Sequence, residues 1–289
     1  TIHALGISLS TKPDGNEVLT VTLVNSAIYD AAGISVSLQQ SNNTTNLFDQ
    51  TRPAISLISM VSDSAVGVTF SVPVFSTNQG SGALDSADFT LSIEGGTATL
   101  LSLIPTSISA SGNTFTLGIS LSGTPDGNEV VTVRPAVSAI FDVLGNAAKT
   151  DQINNTVNLT ERIPPIISSV SIMTDTTISV TFNEAVFSNN DGSGALDSAD
   201  FIFSLQGDSS ILLSATPKSI SAIVNTYILG IDLSSTPDGE QITVKPAANA
   251  IYDAVGNPAD TIQNNNIAFL NNKTAPKTPT GLVGIPGNK

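Results

Sequence analysis

The sequence predicts an all-β protein built of tandem β-sandwiches. Three observations carry this: apolar and polar residues alternate at period two along most of the chain, no stretch keeps helical periodicity long enough for a core helix, and the alternating segments return in one order at a fixed spacing. The run Gly80-Ser81-Gly82-Ala83-Leu84-Asp85-Ser86-Ala87-Asp88-Phe89 returns as Gly192-Ser193-Gly194-Ala195-Leu196-Asp197-Ser198-Ala199-Asp200-Phe201, an offset of 112 residues. Thr124-Pro125-Asp126-Gly127 returns as Thr236-Pro237-Asp238-Gly239; one residue is then dropped, and Ala139-Ile140-Phe141-Asp142 comes back as Ala250-Ile251-Tyr252-Asp253. A third copy is present in its second half only: Gly6-Ile7-Ser8-Leu9, Pro13 to Val18 and Ala27-Ile28-Tyr29-Asp30 match Gly118 to Leu121, Pro125 to Val130 and Ala139 to Asp142. The expected organisation is therefore residues 1–51 as the C-terminal half of a repeat, 52–162 and 163–273 as complete repeats, and 274–289 as a linker or the start of another domain. The first half of the partial copy is expected upstream in a longer polypeptide, or supplied as added strands by another chain.

Within a repeat the strands follow in order. Val66, Val68 and Phe70 alternate with small or polar residues, as do Ile178, Val180 and Phe182. Phe89, Leu91 and Ile93 match Phe201, Phe203 and Leu205, after which Phe115, Leu117, Ile119 and Leu121 match Tyr227, Leu229, Ile231 and Leu233. Turn signals punctuate them: Ser-Gly-Asn at 111–113, Pro-Asp-Gly at 13–15, 125–127 and 237–239, and Asp-x-x-Gly at 30–33, 142–145 and 253–256. About seven short strands in roughly 110 residues is the pattern of an immunoglobulin-like Greek-key sandwich. The connectors Thr51-Arg52-Pro53, Arg162-Ile163-Pro164-Pro165 and Lys273-Thr274-Ala275-Pro276 read as extended and semi-rigid, so a rod-like array is expected.

These residues carry a resemblance. Val180-Thr181-Phe182-Asn183-Glu184-Ala185-Val186 and Ile251-Tyr252-Asp253-Ala254-Val255-Gly256-Asn257 resemble the strand and loop motifs of bacterial Ig-like domains of S-layer proteins and large surface adhesins. The likeness covers nearly all of residues 1–273. It departs at Val72, where the second copy has Glu184, and at Ile34, where the others have Asn146 and Asn257. It implies a non-catalytic, extracellular spacer or adhesion module at the bacterial cell surface, sometimes binding calcium. The tail from Thr278 to Asn288 is similar to the opening strand of a fibronectin type III domain.

Composition narrows the function classes. With no cysteine, no tryptophan and one histidine, disulfide frameworks, Cys/His zinc sites and Cys–His nucleophile pairs are excluded. A net charge of −14 argues against a phosphate-binding surface, so no nucleic-acid partner is expected. Charged residues make up 12% and hydrophobic residues 40% of the chain, which separates it from disordered acidic tails. No leader of the secretory type and no run of about 18 apolar residues is found, and no direct membrane insertion is expected.

The candidate chemistry lies in the acids. Asp191, Asp197 and Asp200 stand in one glycine-containing loop, matched in the first complete copy by Asp85 and Asp88, with Gln79 in place of Asp191. Two readings are open: with backbone carbonyls the loop offers several of the about six to eight oxygens calcium takes, or Asp85 or Asp88 (Asp197 or Asp200) caps a turn through its own backbone. The spacing is not that of an EF-hand. Asp30, Asp142 and Asp253 each precede a glycine by three residues; they either accept local N–H groups or join a neighbouring loop in holding calcium. No cofactor is required, and calcium is the one the residues allow. His3 falls in an aromatic slot shared with Phe115 and Tyr227 and reads as packing. Tyr29, Tyr227 and Tyr252 all fall on core-like positions, which leaves no aromatic platform for sugars. Asn-x-Ser/Thr triplets, among them Asn43 and Asn154, read as edge-strand residues.

The expected function is a structural or adhesive segment of a large secreted bacterial surface protein, not an enzyme. Its partners are neighbouring Ig-like repeats and, in an alternative, copies of itself, with strands from a neighbour completing residues 1–51 in a self-assembling filament. The remaining alternative is an accessory glycan-binding module of a secreted enzyme.

Overall fold

A computed structural model describes residues 2–207, 210–273 and 280–281. The tail expected to open a fibronectin-like domain lies outside the described residues, apart from Thr280 and Gly281. The chain divides into two compact units, Thr1–Glu161 and Arg162–Lys289.

The first unit opens with one short antiparallel pair, β1 (Val18–Thr20) and β2 (Thr44–Asn46). Nine strands follow: β3 (Ile55–Ser62), β4 (Ala65–Phe70), β5 (Phe89–Glu94), β6 (Thr99–Leu100), β7 (Ile108–Ser111), β8 (Thr114–Gly118), β9 (Leu121–Ser122), β10 (Val130–Pro135) and β11 (Thr156–Asn158). They form a four-stranded sheet in the order β3-β4-β8-β7, a three-stranded sheet in the order β11-β10-β5, and the small pair β6-β9. Counting the seven principal strands A to G in chain order, the sheets are ABED and CFG, the strand order of an immunoglobulin-like sandwich. The alternation predicts this because its apolar half points inward. Val66, Val68 and Phe70 from one sheet meet Phe89, Leu91, Val131 and Val133 from the other in one buried cluster. Phe70, Phe89 and Phe115 stack around its centre with ring centroids 5.9–6.3 Å apart.

The second unit repeats the plan with β12 (Ile167–Thr174), β13 (Thr177–Phe182), β14 (Phe201–Gln206), β15 (Ile220–Ile223), β16 (Thr226–Gly230), β17 (Gln241–Pro246) and β18 (Ile267–Phe269). Its sheets run β12-β13-β16-β15 and β14-β17-β18, again ABED and CFG. Phe182, Phe201 and Tyr227 reproduce the aromatic centre at 5.9–6.4 Å. Both A strands, which are sheet edges, carry register shifts at equivalent places, Ile55/Leu57 and Met60/Ser62, then Ile167/Ser169 and Ile172/Thr174. Bulges twist an edge away from further pairing, so they blunt the strand most open to added partners.

In residues 2–51, β1 and β2 pair as Val18↔Asn46, Leu19↔Thr45 and Thr20↔Thr44, the register of Val130↔Asn158, Val131↔Val157 and Thr132↔Thr156. Here the F–G pair of the repeat has formed, whereas residues 2–9, which correspond to strand E, form no strand. Two sequence expectations are corrected as a result. His3 and Tyr29 do not fill a core; both are exposed, because no second sheet lies over them. Tyr227 is buried as expected, and Tyr252 is half-buried with its hydroxyl donating to Asn249 O at 2.8 Å.

Candidate functional site

The recurring acids occupy three kinds of loop, and each carboxylate is engaged by its own neighbourhood. After strand B the chain makes a glycine-rich loop and one short 3-10 turn, Ser86–Asp88 or Ser198–Asp200. Asp85 accepts from Ala87 N at 2.7 Å while Asp88 Oδ2 accepts from Asp85 N at 2.8 Å, a reciprocal capping box. Asp197 and Asp200 repeat it, with Ala199 N to Asp197 Oδ1 and Asp197 N to Asp200 Oδ2 both 2.7 Å. Partial burial raises the pKa of Asp88 and Asp200, and the adjacent charge of Asp85 or Asp197 adds to that, against the lowering effect of the one backbone hydrogen bond. Asp191 stands apart from this box and accepts from Ser193 N at 3.1 Å and from the Ser193 hydroxyl.

Asp142 and Asp253 are deeper, 3% and 1% exposed. Asp142 Oδ1 accepts from Leu144 N and Asn146 N, and Oδ2 from Asn146 Nδ2, all at 2.9 Å. Asp253 Oδ1 accepts from Val255 N, Gly256 N and Asn257 N at 2.7–2.9 Å, and Oδ2 from Asn257 Nδ2 at 2.7 Å. Asp30 keeps the backbone pair, Ala32 N and Ile34 N at 2.9 Å, while the amide donor is replaced by the side chain of Ile34.

Two of these loops meet at one end of each sandwich. Phe75 and Phe141 exchange backbone hydrogen bonds at 2.7 and 2.8 Å, as do Phe187 and Tyr252. The approach is so close that a Cβ on Gly80 would stand 2.5 Å from Val143 O, and one on Gly192 2.5 Å from Ala254 O, at φ +67° and +73°. Glycine is required there on both steric and conformational grounds.

In the second unit Glu184 adds a carboxylate near Asp253. Burial raises its pKa, as does the Asp253 charge, while the hydrogen bond from Asn183 opposes the rise. In the first unit the corresponding residue is Val72. A glutamate whose pKa is raised in the folded state is favoured when protonated, so its contribution to stability is lost as pH rises through that value. Glu184→Val is therefore expected to raise the melting temperature of the second unit at pH 7, by the equivalent of roughly 0.5–1 kcal/mol, and to have less effect at pH 4. Calorimetry at the two pH values measures both.

In each of Asp85, Asp88, Asp191, Asp197 and Asp200 one carboxylate oxygen accepts from its own loop, and among the described residues no group of three or more His, Cys, Asp or Glu is placed to hold a metal ion.

Two sets of buried polar residues were not singled out in the sequence. Glu129 is 0% exposed and collects backbone donors from two loops: Thr97 N and Ala98 N at 2.9 and 2.8 Å, and Asp126 N and Gly127 N at 3.1 Å. Burial alone would raise its pKa, but the hydrogen bonds together outweigh it and hold the carboxyl below the ordinary glutamate range. Glu240 holds the same place, accepting from Asp238 N at 2.7 Å. Asn155 and Asn266, both buried, donate through Nδ2 to Val133 O and Val244 O at 2.8 Å and tie the approach to strand G onto strand F. The signal for the glutamates was the acid that closes each Pro-Asp-Gly turn, Glu17, Glu129 and Glu240.

Among the described residues no helix is long and apolar enough to cross a membrane. No protein-family model matches the chain, and no curated protein matches it. Among solved structures it is similar to the N-terminal part of the bacterial S-layer protein SbsC, at 15% identity and a TM-score of 0.30, over 70% of this chain and 42% of that one. A chimeric titin Z1Z2 functionalized with a decorin peptide is similar at 15% identity and a TM-score of 0.22, over 71% of this chain and 95% of that one. The chain thus spans less than half the length of the S-layer chain. The immunoglobulin-like assignment rests on the strand order given above.

Proposed function

We propose that the chain is a non-catalytic, structural or adhesive segment of a large secreted bacterial surface protein, whose repeats act as an extended stalk or filament. The observation that carries this reading is the duplication of the polar machinery. The capping box, the buried aspartate and the buried glutamate recur from unit to unit, and in each place the acid accepts from backbone N–H groups of the loops around it. Catalysis by paired carboxylates needs two acids in contrasting environments within one cleft, and an active site is singular where these loops are repeated. Separate closed cores suit a chain whose stability is the sum of its units, the property that lets repeats be multiplied to set a length.

Two measurements test it. Pulling the chain by its ends should give two separate unfolding events, each releasing about 35 nm, since roughly 105 residues at ~3.5 Å are let out per sandwich; a featureless extension contradicts the load-bearing reading. Protease shaving of intact source cells should release peptides of this chain, and their recovery only after lysis contradicts the surface location.

A further inference from the structure

The connection between strands F and G is held in the same way in both complete units, yet it presents opposite charges. Gln152 Oε1 accepts from Ile55 N at 2.9 Å and its Nε2 donates to Lys149 O at 2.7 Å; Gln263 does the same with Ile167 N at 2.8 Å and Asp260 O at 2.7 Å. One residue earlier, Ala148 N and Ala259 N donate to Ile140 O and Ile251 O, both at 2.8 Å. Lys149 and Asp260 therefore stand at one position of one scaffold. The glutamine clamp uses their carbonyl oxygens and leaves both residues exposed.

The surroundings differ along with the charge. In the first unit Lys149 is joined by Arg52, where the second has Pro164, and the two cations line a recess of about 380 Å³ walled by Val137, Ala147 and Ala148. A second recess of about 230 Å³ shares both cations. Asp151 lines the two recesses as well, which leaves one net positive charge against the two bases. Among the described residues neither Arg52 nor Lys149 takes part in an ion pair, whereas Lys218 and Lys273 pair with Asp232 and Asp175. In a chain with 24 acids and 10 bases, two neighbouring bases without an acid partner are unusual. The second unit offers the opposite character at the equivalent loop. Asp260 Oδ1 accepts from Ile262 N at 2.8 Å, which fixes a carboxylate in one turn with an isoleucine that is 78% exposed.

We propose that the recess of the first unit binds the Asp260–Ile262 turn of a second copy of this chain. Ile262 packs on the apolar wall that includes Val137, itself 81% exposed, and the Asp260 carboxylate meets Arg52 and Lys149. Charge selects the partner loop. Two first-unit loops would set Lys149 against Lys149 and two second-unit loops Asp260 against Asp260, so only unlike loops attract. Each chain carries one recess and one turn, and copies pair head to tail, closing as a dimer or continuing as a series. The contact is small and belongs with transient interfaces. The net charge of −14 opposes it at long range, but at about 0.15 M salt the Debye length is about 8 Å, which screens that repulsion more than charges in contact. The pairing adds a partner to the structural reading and does not depend on where the protein resides.

The test is sedimentation velocity of the 289-residue chain at that salt, from micromolar to millimolar concentration, where association should grow with concentration. Lys149→Asp and Asp260→Lys should each weaken it by about tenfold or more, because each sets like charges together. An equimolar mixture of the two variants should restore it, since each altered loop then meets its opposite; chains that failed to fold could not recover in this way. Ile262→Ser, which leaves every charge in place, should weaken it as well. A wild-type chain that stays monomeric throughout overturns the proposal. So does association that both charge reversals leave unchanged, since another face then makes it, and so does a mixture no more associated than its separate variants.

Discussion

Glu129→Ala will destabilise the first complete sandwich by about 3–5 kcal/mol, read as the loss of the corresponding transition in a denaturant or thermal melt. The side chain removed is fully buried, and it leaves backbone donors from Thr97, Ala98, Asp126 and Gly127 with no acceptor. Each unsatisfied buried donor costs about 1–3 kcal/mol; relaxation of the two loops brings the total below the plain sum. Glu129→Gln should be milder, since one oxygen remains, yet still destabilising because the amide turns N–H toward N–H. The pH dependence has a definite sign. The folded-state pKa lies below the ordinary range, so the carboxylate's contribution is fully present above the unfolded-state value and is lost as pH falls through the lowered one. Acid unfolding of the wild-type unit should therefore steepen in that window, and the glutamine variant should lack that part of the slope.

Phe201→Ala is expected to cost the second sandwich about 3–5 kcal/mol and leave the first untouched. Phe201 is fully buried at the centre of the aromatic group with Phe182 and Tyr227, contributing rings 6.4 and 5.9 Å away. Its removal opens a cavity that strands on either side cannot fill without breaking register. Because the two buried clusters share no residue, the transition of the first unit should stay within about 1 °C of its original midpoint. A parallel fall of both transitions would show that the units are not self-contained. The mirror variant, Phe89→Ala, should reverse the pattern.

Most of the fold could be read from the sequence because its cause is local. Period-two alternation places Val66, Val68 and Phe70 on one side of a strand wherever that strand finally pairs, and positive-φ glycines in Pro-Asp-Gly, at Gly127 and Gly239, mark turns regardless of context. The aspartates could be placed on loops for the same reason, and the capping reading of Asp85 and Asp88 needs only residues within three positions of each other. What escaped depends on distance. Glu129 follows a turn in a segment that otherwise reads as solvent-facing, and two of its donors lie 31 and 32 residues earlier in the chain. Asn155 sits in a triplet that reads as an edge-strand site, whereas its side chain reaches back 22 residues to Val133. His3 and Tyr29 failed in the opposite direction: the repeat assigns them core slots, but a slot is buried only when the opposing sheet is present. In each case the missing information is which segment lies across the sandwich.

The calcium reading and the loop-fixing reading make opposite claims about the same acids, and one experiment separates them. Differential scanning calorimetry of the full chain is run in millimolar calcium and again in excess chelator at equal ionic strength. If Asp85, Asp88, Asp142, Asp191, Asp197, Asp200 and Asp253 serve their own loops, the two traces should superimpose to within about 1 °C. An ion held by the folded state at about a hundred times its dissociation constant would add about 2.7 kcal/mol, which at this unit size moves a transition by several degrees. A shift of that size, lost when Asp142 or Asp253 is replaced by asparagine, would contradict the account.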